Sequence, residues 1–322
     1  MNETMASNPA VLLIGPTASG KTALACALAD RFPVDIISVD SAMVYRGMDI
    51  GTAKPDAAMQ ARYPHHLIDL VTPEESYSAA LFCSDAHRQA LASWGRGRIP
   101  LLTGGTMLYV RALLEGLSTI PVANLETRAE IDAEASRSGW PAMHRELARV
   151  DPQTAARLMP NDAQRISRAL EVFRSSGTPL SEWHALKRPS NVLFRNTLKI
   201  GLMPADRPTL HARIALRFVE MLDRGLIEEV EGLLRRFNLK STLPSMRSVG
   251  YRQVLEHLNG DTSQAEMGAK AIAATRQLAK RQMTWMRSMP DLELMDSVSA
   301  DISAPLIRRV AEFLESNAPH TG

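Results

Sequence analysis

The chain has 322 residues, of which 45% are hydrophobic and 22% are charged, so it can bury a large core in two domains or in one domain with a sizeable insertion. Its cysteines are Cys26, expected in the core, and Cys83; two cysteines exclude a disulfide framework or a cysteine metal cluster and fit a reducing cytosol. Residues 1–9 do not resemble a signal peptide, and no apolar run approaches a membrane span. We therefore expect a cytoplasmic protein with no membrane partner.

The net charge of +2 is too small to indicate a nucleic-acid partner by itself, but the charge is unevenly distributed. Residues 247–287 contain 7 basic and 3 acidic side chains. A polyanionic partner would therefore meet the second half of the chain.

A predicted strand at residues 11–14 runs into a glycine loop and then into a helix predicted at 22–31. The loop matches the phosphate-binding pattern G-x-x-x-x-G-K-[ST] through Gly15, Pro16, Thr17, Ala18, Ser19, Gly20, Lys21 and Thr22. The glycines let successive N–H groups converge on a diphosphate, and the helix N-terminus adds partial positive charge. Lys21 would neutralise phosphate oxygens, and Thr22 would offer its hydroxyl to Mg²⁺. The pattern does not say whose phosphates the loop holds.

Strands and helices alternate in the residues that follow the loop. Strands are predicted at 34–40, 66–69 and 99–103, a polar glycine-rich loop at 41–55, and a helix at 78–94. This order predicts an α/β fold with a doubly wound parallel sheet and helices on both faces. Ligands of such sheets bind at the carboxyl ends of the strands, so we expect the phosphate loop, Asp40 and Thr106 to surround one crevice.

Strand signals stop near residue 120, and helix signals take their place. Predicted caps are Thr127 with Glu130, Gly139, Asp151, Asn161 and, at a C-terminus, Gly177. The strand pattern returns at 198–202, and helices are predicted at 208–224, 226–237, 251–258, 263–287 and 304–316. The predicted organisation is a catalytic core of residues 1–119 and 197–322 with C-terminal helices, interrupted by a helical insertion domain at 120–196.

Asp40, at the end of a predicted strand, has two possible roles beside a phosphate loop. It could take a proton from a bound nucleophile, or it could help to hold the metal through water. A strand-end carboxylate can also simply cap the next turn.

Several basic side chains recur at helical spacing. Arg213 and Arg217 are four residues apart and could close over a diphosphate, although an exposed amphipathic helix would show the same spacing. Arg165 with Arg168, and Arg276 with Lys280 and Arg287, form basic helical faces that suit a phosphate backbone or, alternatively, are ordinary solvated surfaces. His65 and His66 have no third ligand at metal spacing, which favours structural histidines.

Seven segments occur in an order that resembles the bacterial tRNA dimethylallyltransferases. They are the phosphate loop, Asp40-Ser41, residues 49–55 with the Ile-Gly-Thr-Ala-Lys-Pro stretch, residues 104–109 beginning Gly-Gly-Thr, residues 161–168, residues 247–252 and residues 275–282. The resemblance spans most of the chain. Met43 departs from the commonest pattern, in which many members carry glutamine at this position.

The resemblance implies that a dimethylallyl group passes from dimethylallyl diphosphate to N6 of the adenosine just 3′ of the tRNA anticodon, with Mg²⁺ assisting the release of diphosphate. It assigns catalysis to Asp40, Lys21, Thr106 and Arg217, and metal binding to Thr22. It assigns tRNA contacts, in the anticodon stem-loop, to Asp40, Ser41, Ala42, Met43, Thr106, Arg128, Gln164, Arg165, Ile166, Ser167, Arg168, Arg247, Ser248, Val249, Gly250, Tyr251, Arg252, Lys280, Arg281, Gln282, Met283, Thr284, Trp285, Met286 and Arg287. We expect a monomer.

Three other functions use parts of the same pattern. A small-molecule kinase would use the loop, a strand-end Asp and lid arginines for ATP, but it has no evident need for the basic helices. An isopentenyltransferase acting on free adenine nucleotides would share the core and lack tRNA contacts. A catalytically inert RNA-binding protein is disfavoured because Lys21, Thr22 and Asp40 are all present.

Overall fold

A computed structural model describes residues 8–116, 120, 125–186, 193–299 and 301–317. The chain divides into two compact units, the first formed by Met1–Leu114 and Asn191–Gly322 and the second by Glu115–Ser190. Residue 119, where we place the first domain boundary, and residues 1–7 of the N-terminal segment lie outside the described residues. The second predicted boundary falls at Thr197, the first residue of a strand.

The first unit is built on six parallel strands. In chain order they are β1 (Ala10–Ile14), β2 (Val34–Val39), β3 (His65–His66), β4 (Ile99–Gly104), β5 (Thr197–Met203) and β6 (Glu293–Asp296). The spatial order is β3-β2-β4-β1-β5-β6, so β1 lies between β4 and β5. All five β1 residues are buried apolar side chains, as expected for a central strand covered on both faces. The predicted α/β parallel-sheet fold is confirmed.

Helices surround this sheet. They are α1 (Lys21–Ala29), α2 (Ala57–Arg62), α3 (Ala79–Gly95), α4 (Met107–Glu115), α10 (Arg207–Asp223), α11 (Leu226–Arg236), α12 (Tyr251–Leu258), α13 (Gln264–Arg287) and α14 (Ser303–Ser316). The buried apolar side chains of α1 and α14 pack on β1, β2, β4 and β5. A second core joins α10, α11, α12 and α13 to the loop that follows β2. Packing of the sheet and these helices holds the ends of the strands in place, and the loops that line the site begin at those ends.

The second unit is helical in its described part. It contains α5 (Leu125–Ser138), α6 (Trp140–Val150), α7 (Pro152–Ala155), α8 (Ala163–Ser176) and α9 (Leu180–Ala185). Its core includes Ile131, Met143, Leu147, Ile166 and Leu170, all nearly inaccessible to solvent. Arg174 on α8 bridges Glu134 on α5 and Glu146 on α6 at 2.7 Å each. This unit therefore has an apolar core of its own.

Three sequence predictions are wrong in detail. The third strand is His65–His66 rather than 66–69, because Leu67 and Asp69 have positive φ angles of 63° and 54°, which a strand does not accommodate. Helix α5 begins at Leu125, so Thr127 lies inside its first turn and does not cap it. Asp162 rather than Asn161 caps α8. The sequence analysis also missed α2, α4, α9 and β6.

Candidate active site

The phosphate loop links the carboxyl end of β1 to α1. Gly20 has φ of 85°, and Ala18 adopts the left-handed region at 62° although it carries a Cβ. Gly15 is required by close packing, since a Cβ there would lie 2.6 Å from Ser19 Oγ and 2.9 Å from Leu202 Cβ. The loop thus has the strained, tightly packed backbone of a phosphate cradle.

A cavity of about 860 Å³, called here the main cavity, opens at the carboxyl ends of the strands. The phosphate loop from Thr17 to Thr22 lines it, together with Asp40, Thr106 and Arg217. The structure therefore brings these predicted catalytic residues to one place, whereas Gly15 and Pro16 lie outside the lining. Other predicted residues that line it are Ser41, Ala42, Met43, Arg247, Ser248, Val249, Gly250, Tyr251, Arg281, Gln282 and Trp285.

Lys21 and Arg217 supply two cations to the main cavity. The Lys21 ammonium donates to the carbonyl oxygens of Gly15 at 3.0 Å and Pro16 at 2.7 Å. Burial, and then the positive charge of Arg217, lower the pKa of Lys21 to about 8, while Asp40 opposes the change. Burial also lowers the pKa of Arg217, again opposed by Asp40. Two partly buried cations that line the same cavity would attract a polyanion.

Asp40 follows β2 directly, and one carboxylate oxygen is already used. Its Oδ1 accepts backbone N–H groups of Ala42 at 2.8 Å and Met43 at 3.2 Å. No hydrogen bond within the described chain involves Oδ2. The capping role considered for Asp40 is thus present, and it also holds the carboxylate in a fixed orientation with one oxygen available.

Thr106 is tied to the residue beside Asp40. Its Oγ1 accepts the Ser41 N–H at 3.0 Å and donates to Ser41 Oγ at 3.2 Å. Its own N–H donates to the Val39 carbonyl at the end of β2. The ends of β2 and β4 are therefore joined, and Thr106 lies beside Asp40 as predicted from strand topology.

Of the two arginines that could close over a diphosphate, only Arg217 faces the main cavity. Arg217 lines the main cavity, but the Arg213 guanidinium donates to the Ser297 carbonyl at 3.1 Å, beyond the end of β6. Four residues rotate by slightly more than one helical turn, so the two side chains differ both in direction and in position along the helix axis. They can therefore reach different partners. The sequence could not show this, because β6 was not predicted.

Helix α13 presents only part of its predicted tRNA-contacting segment to solvent. Gln282, Met283 and Met286 are buried, and Gln282 also lines the main cavity. The exposed members of the segment are Lys280, Arg281, Thr284, Trp285 and Arg287. Tyr251, Ile166 and Ser167 are buried as well. The tRNA contacts assigned to these residues stay predictions.

The second unit carries the remaining predicted contacts. Gln164 and Arg165 are exposed, and Arg168 is half-buried, with a 3.3 Å contact to the buried Glu171. Gln164, Arg165 and Arg168 line a cavity of about 400 Å³ with Arg157 and His184. Arg128 is half-buried on α5.

Glu229 on α11 is a residue that the sequence analysis missed. Its carboxylate accepts the N–H groups of Asp49, Ile50 and Gly51 at 3.0, 2.7 and 3.3 Å, and it accepts the Tyr251 hydroxyl at 2.5 Å. The buried Lys54 donates to Asp49 and Asp69 at 2.6 Å each. These contacts explain the stretch at 50–55, which frames one wall of the main cavity. No local signal marks Glu229, which lies 178 residues from Gly51.

The residues present fit a magnesium ion bound together with a diphosphate. Thr22 lines the main cavity, and its hydroxyl has no hydrogen bond within the described chain. Oxygen is the ligand type that Mg²⁺ prefers, and this ion usually keeps several waters. Among the described residues, no three His, Cys, Asp or Glu side chains form a metal cluster. A cation here would therefore take most of its ligands from phosphate and water.

In the described part of the chain, no helix combines the length and apolarity needed to cross a membrane. His65 contacts the Tyr63 carbonyl through Nδ1 at 2.6 Å, which agrees with a structural histidine.

Known proteins are similar to this chain in sequence and in fold. The family model described as IPP transferase matches residues 43–289. A tRNA dimethylallyltransferase of Thiobacillus denitrificans is 53% identical over 311 residues, which cover 97% of this chain and 99% of the relative. A second enzyme of that name, from Aromatoleum aromaticum, is 56% identical and covers 95% of this chain and 96% of its own.

Solved structures agree with the sequence relatives. The full-length tRNA isopentenylpyrophosphate transferase of Bacillus halodurans has a TM-score of 0.70 and 35% identity, and covers 97% of this chain and 98% of its own. A eukaryotic dimethylallyltransferase acting on tRNA has a TM-score of 0.79 and 25% identity, and covers 98% of this chain and 81% of its own. The family resemblance seen in the sequence motifs is confirmed.

Proposed function

Because this chain belongs to the IPP transferase family, we propose that it transfers a dimethylallyl group from dimethylallyl diphosphate to N6 of the adenosine 3′-adjacent to the anticodon of tRNA, with release of diphosphate. The observation that carries the proposal is the main cavity, where a phosphate loop, two cations and an oriented carboxylate meet. Relatives that match nearly the whole chain are named tRNA dimethylallyltransferase.

The reaction needs a stabilised leaving group. Attack by the adenine N6 on C1 of the dimethylallyl group forms a C–N bond while the C–O bond to diphosphate breaks and its electron pair passes to the diphosphate oxygen. The loop N–H groups, Lys21 and Arg217 lie where they can stabilise that developing charge. Preorganised donors and cations of this kind supply a large part of the lowering of the barrier.

The reaction also needs a proton acceptor. Asp40 holds one oxygen on two backbone N–H groups and keeps the other available within the described chain. We assign Asp40 as the group that takes the N6 proton, and Thr106, hydrogen-bonded to the neighbouring Ser41, as a contact for the acceptor adenine. When bound, Mg²⁺ would add charge stabilisation at the diphosphate, with Thr22 as its protein ligand.

The acceptor must reach a cavity in the protein. Placing N6 beside Asp40 requires the base to leave its stack, and this costs least in a single-stranded loop. Exposed basic residues at the cavity margin and on α13, such as Arg247, Arg281 and Lys280, would bind the backbone around that base. We further propose that the enzyme acts as a monomer in the cytoplasm.

Incubation with labelled dimethylallyl diphosphate tests the proposal. Label should enter an anticodon stem-loop that carries adenosine 3′ of the anticodon, and should not enter the same stem-loop with guanosine at that position. Labelling of AMP instead would assign the activity to free adenine nucleotides. Consumption of ATP, with no transfer of label from dimethylallyl diphosphate, would establish a kinase and overturn the proposal.

A further inference from the structure

Gln282 joins two strand ends that the proposed reaction uses. Its side chain is buried, with 8% of its surface exposed. Oε1 accepts the Thr17 backbone N–H at 3.0 Å, and Nε2 donates to the Gly105 carbonyl at 2.8 Å. Thr17 belongs to the phosphate loop after β1, and Gly105 directly follows β4. One amide on α13 thus connects two loops that are distant from it in sequence.

The surroundings of this amide leave little freedom. A Cβ on Gly105 would lie 2.5 Å from Gln282 Nε2 and 3.1 Å from the Gly15 carbonyl oxygen. Ala18, beside Thr17, packs against a small buried cluster contributed by α10 and α13. Helix α13 therefore holds the phosphate loop through both a hydrogen bond and apolar packing.

In the proposed reaction, one loop binds the leaving group and the other loop is connected to the proton acceptor. The phosphate loop would hold the departing diphosphate, while Gly105 precedes Thr106, which is bonded to Ser41 beside Asp40. The spacing between leaving group and proton acceptor therefore depends on how these loops are held together. A misplacement of about 1 Å in such a site can lower the rate by about 10²-fold.

We propose that Gln282 is a positioning residue, which sets the phosphate loop relative to Thr106 and Asp40 and does not itself touch the tRNA. The inference rests on the proposed function. Both hydrogen-bonding groups of its amide are used by protein backbone, so it acts through Thr17 and Gly105.

Gln282→Met keeps the side-chain length and removes both hydrogen bonds. We expect the single-turnover rate of prenyl transfer to fall by about 10- to 100-fold, while the Kd for the anticodon stem-loop stays at the wild-type value. The matched control is Gln277→Met, the same substitution at an exposed position of α13, which should keep the wild-type rate. Circular dichroism and thermal melting establish that both variants are folded.

Gln282→Glu should give a pH-dependent rate, which a mere loss of side-chain packing would not produce. The ionised carboxylate can accept from Thr17 but cannot donate to Gly105, whereas the protonated acid can do both. The ratio of the variant's rate to the wild-type rate should therefore rise as the pH falls. Using the ratio removes any pH dependence that the variant and the wild type share.

The outcomes separate this inference from the proposed function. No transfer by the wild-type protein would contradict the function itself. Wild-type transfer together with an undiminished rate in Gln282→Met would overturn the positioning role, as would a loss confined to tRNA affinity. If Gln282→Met fails to fold, the pH ratio of Gln282→Glu decides, and a ratio independent of pH would overturn the proposal.

Discussion

Asp40 combines an observed structural contact with the proton-accepting role that we propose for it. Two backbone N–H groups hold Oδ1, so replacing Asp40 by Asn retains an acceptor oxygen for them. Asn cannot take a proton, and general-base catalysis typically contributes about 10²- to 10⁴-fold. We therefore expect Asp40→Asn to lose about that factor in kcat with little change in the Kd for tRNA.

A Mg²⁺ titration of the Asp40→Asn variant distinguishes the two roles that the sequence left open. A proton acceptor cannot be replaced by more metal, so the rate should stay low at every Mg²⁺ concentration. Recovery at high Mg²⁺ would instead assign Asp40 to holding the metal.

Lys21 makes donor binding depend on pH. Burial and the charge of Arg217 lower its pKa to about 8, below the 10.5 of a free lysine, and only the ammonium form attracts a diphosphate. Affinity for dimethylallyl diphosphate should therefore be level below pH 8 and fall by up to about tenfold per pH unit above it. Lys21→Ala should bind more weakly and lose that dependence. Calorimetric titration between pH 7 and 9.5 measures both, and a parallel decline in the variant would contradict the assignment.

Among the elements, α11 stabilises the loop after β2 through Glu229. Hydrogen bonds to charged groups contribute about 1.5–3 kcal/mol, and Glu229 accepts three backbone N–H groups and the Tyr251 hydroxyl. We expect Glu229→Gln to lower the free energy of unfolding by about that amount, because a neutral amide accepts these bonds less strongly. Glu228→Gln, at an exposed position of the same helix, is the control. Urea unfolding that gives equal values for the two variants would contradict this role.

On helix α13, the side that is exposed to solvent carries Arg276 and Lys280. Each lost phosphate contact should reduce the slope of log K against log salt by about 0.7 to 0.9. Arg276→Ala with Lys280→Ala should thus weaken tRNA binding and flatten its salt dependence, without changing affinity for dimethylallyl diphosphate. The matched control is Lys240→Ala with Arg308→Ala, two exposed basic residues outside the proposed contacts. A slope equal to that of the control would show that the surface is merely solvated.

The predictable elements are those with a strong local pattern. Buried strands β1, β2 and β4 are apolar runs, and α13 has a serine cap with a glutamate three residues later, so all were predicted from sequence. Strand β6 reads Glu-Leu-Met-Asp and is largely exposed, which gives no alternating or continuous apolar signal. Helix α2 has no buried residue and so lacks an apolar stripe.

The same distinction applies to the candidate site. The phosphate loop, Asp40 and Thr106 follow from motif and strand topology. Glu229 and the structural role of Gln282 depend on contacts between distant segments, for which single residues carry no pattern. The resemblance pointed to a segment containing Gln282, but only packing shows that this side chain faces the loops.

For the whole molecule, the separate cores of the two units predict which regions dimethylallyl diphosphate should stabilise when it binds. The main cavity is lined by residues of the first unit alone, and the second unit has its own buried core. A ligand stabilises the structure that binds it, by about 2.7 kcal/mol at a concentration 100 times its Kd. Dimethylallyl diphosphate should therefore slow amide exchange in β1, α1 and β4, where the phosphate loop is anchored.

Amides of α6 and α8, which pack within the second unit, should exchange at the same rate with and without the donor. Hydrogen exchange followed by mass spectrometry measures both sets in one experiment, since exchange through local opening reports the stability of each region separately. Lys21→Ala is the control, because weakened donor binding should remove the slowing in β1 and α1 at the same donor concentration. Equal slowing in both units would show that they open as one cooperative body, and slowing confined to α6 and α8 would place the donor outside the main cavity.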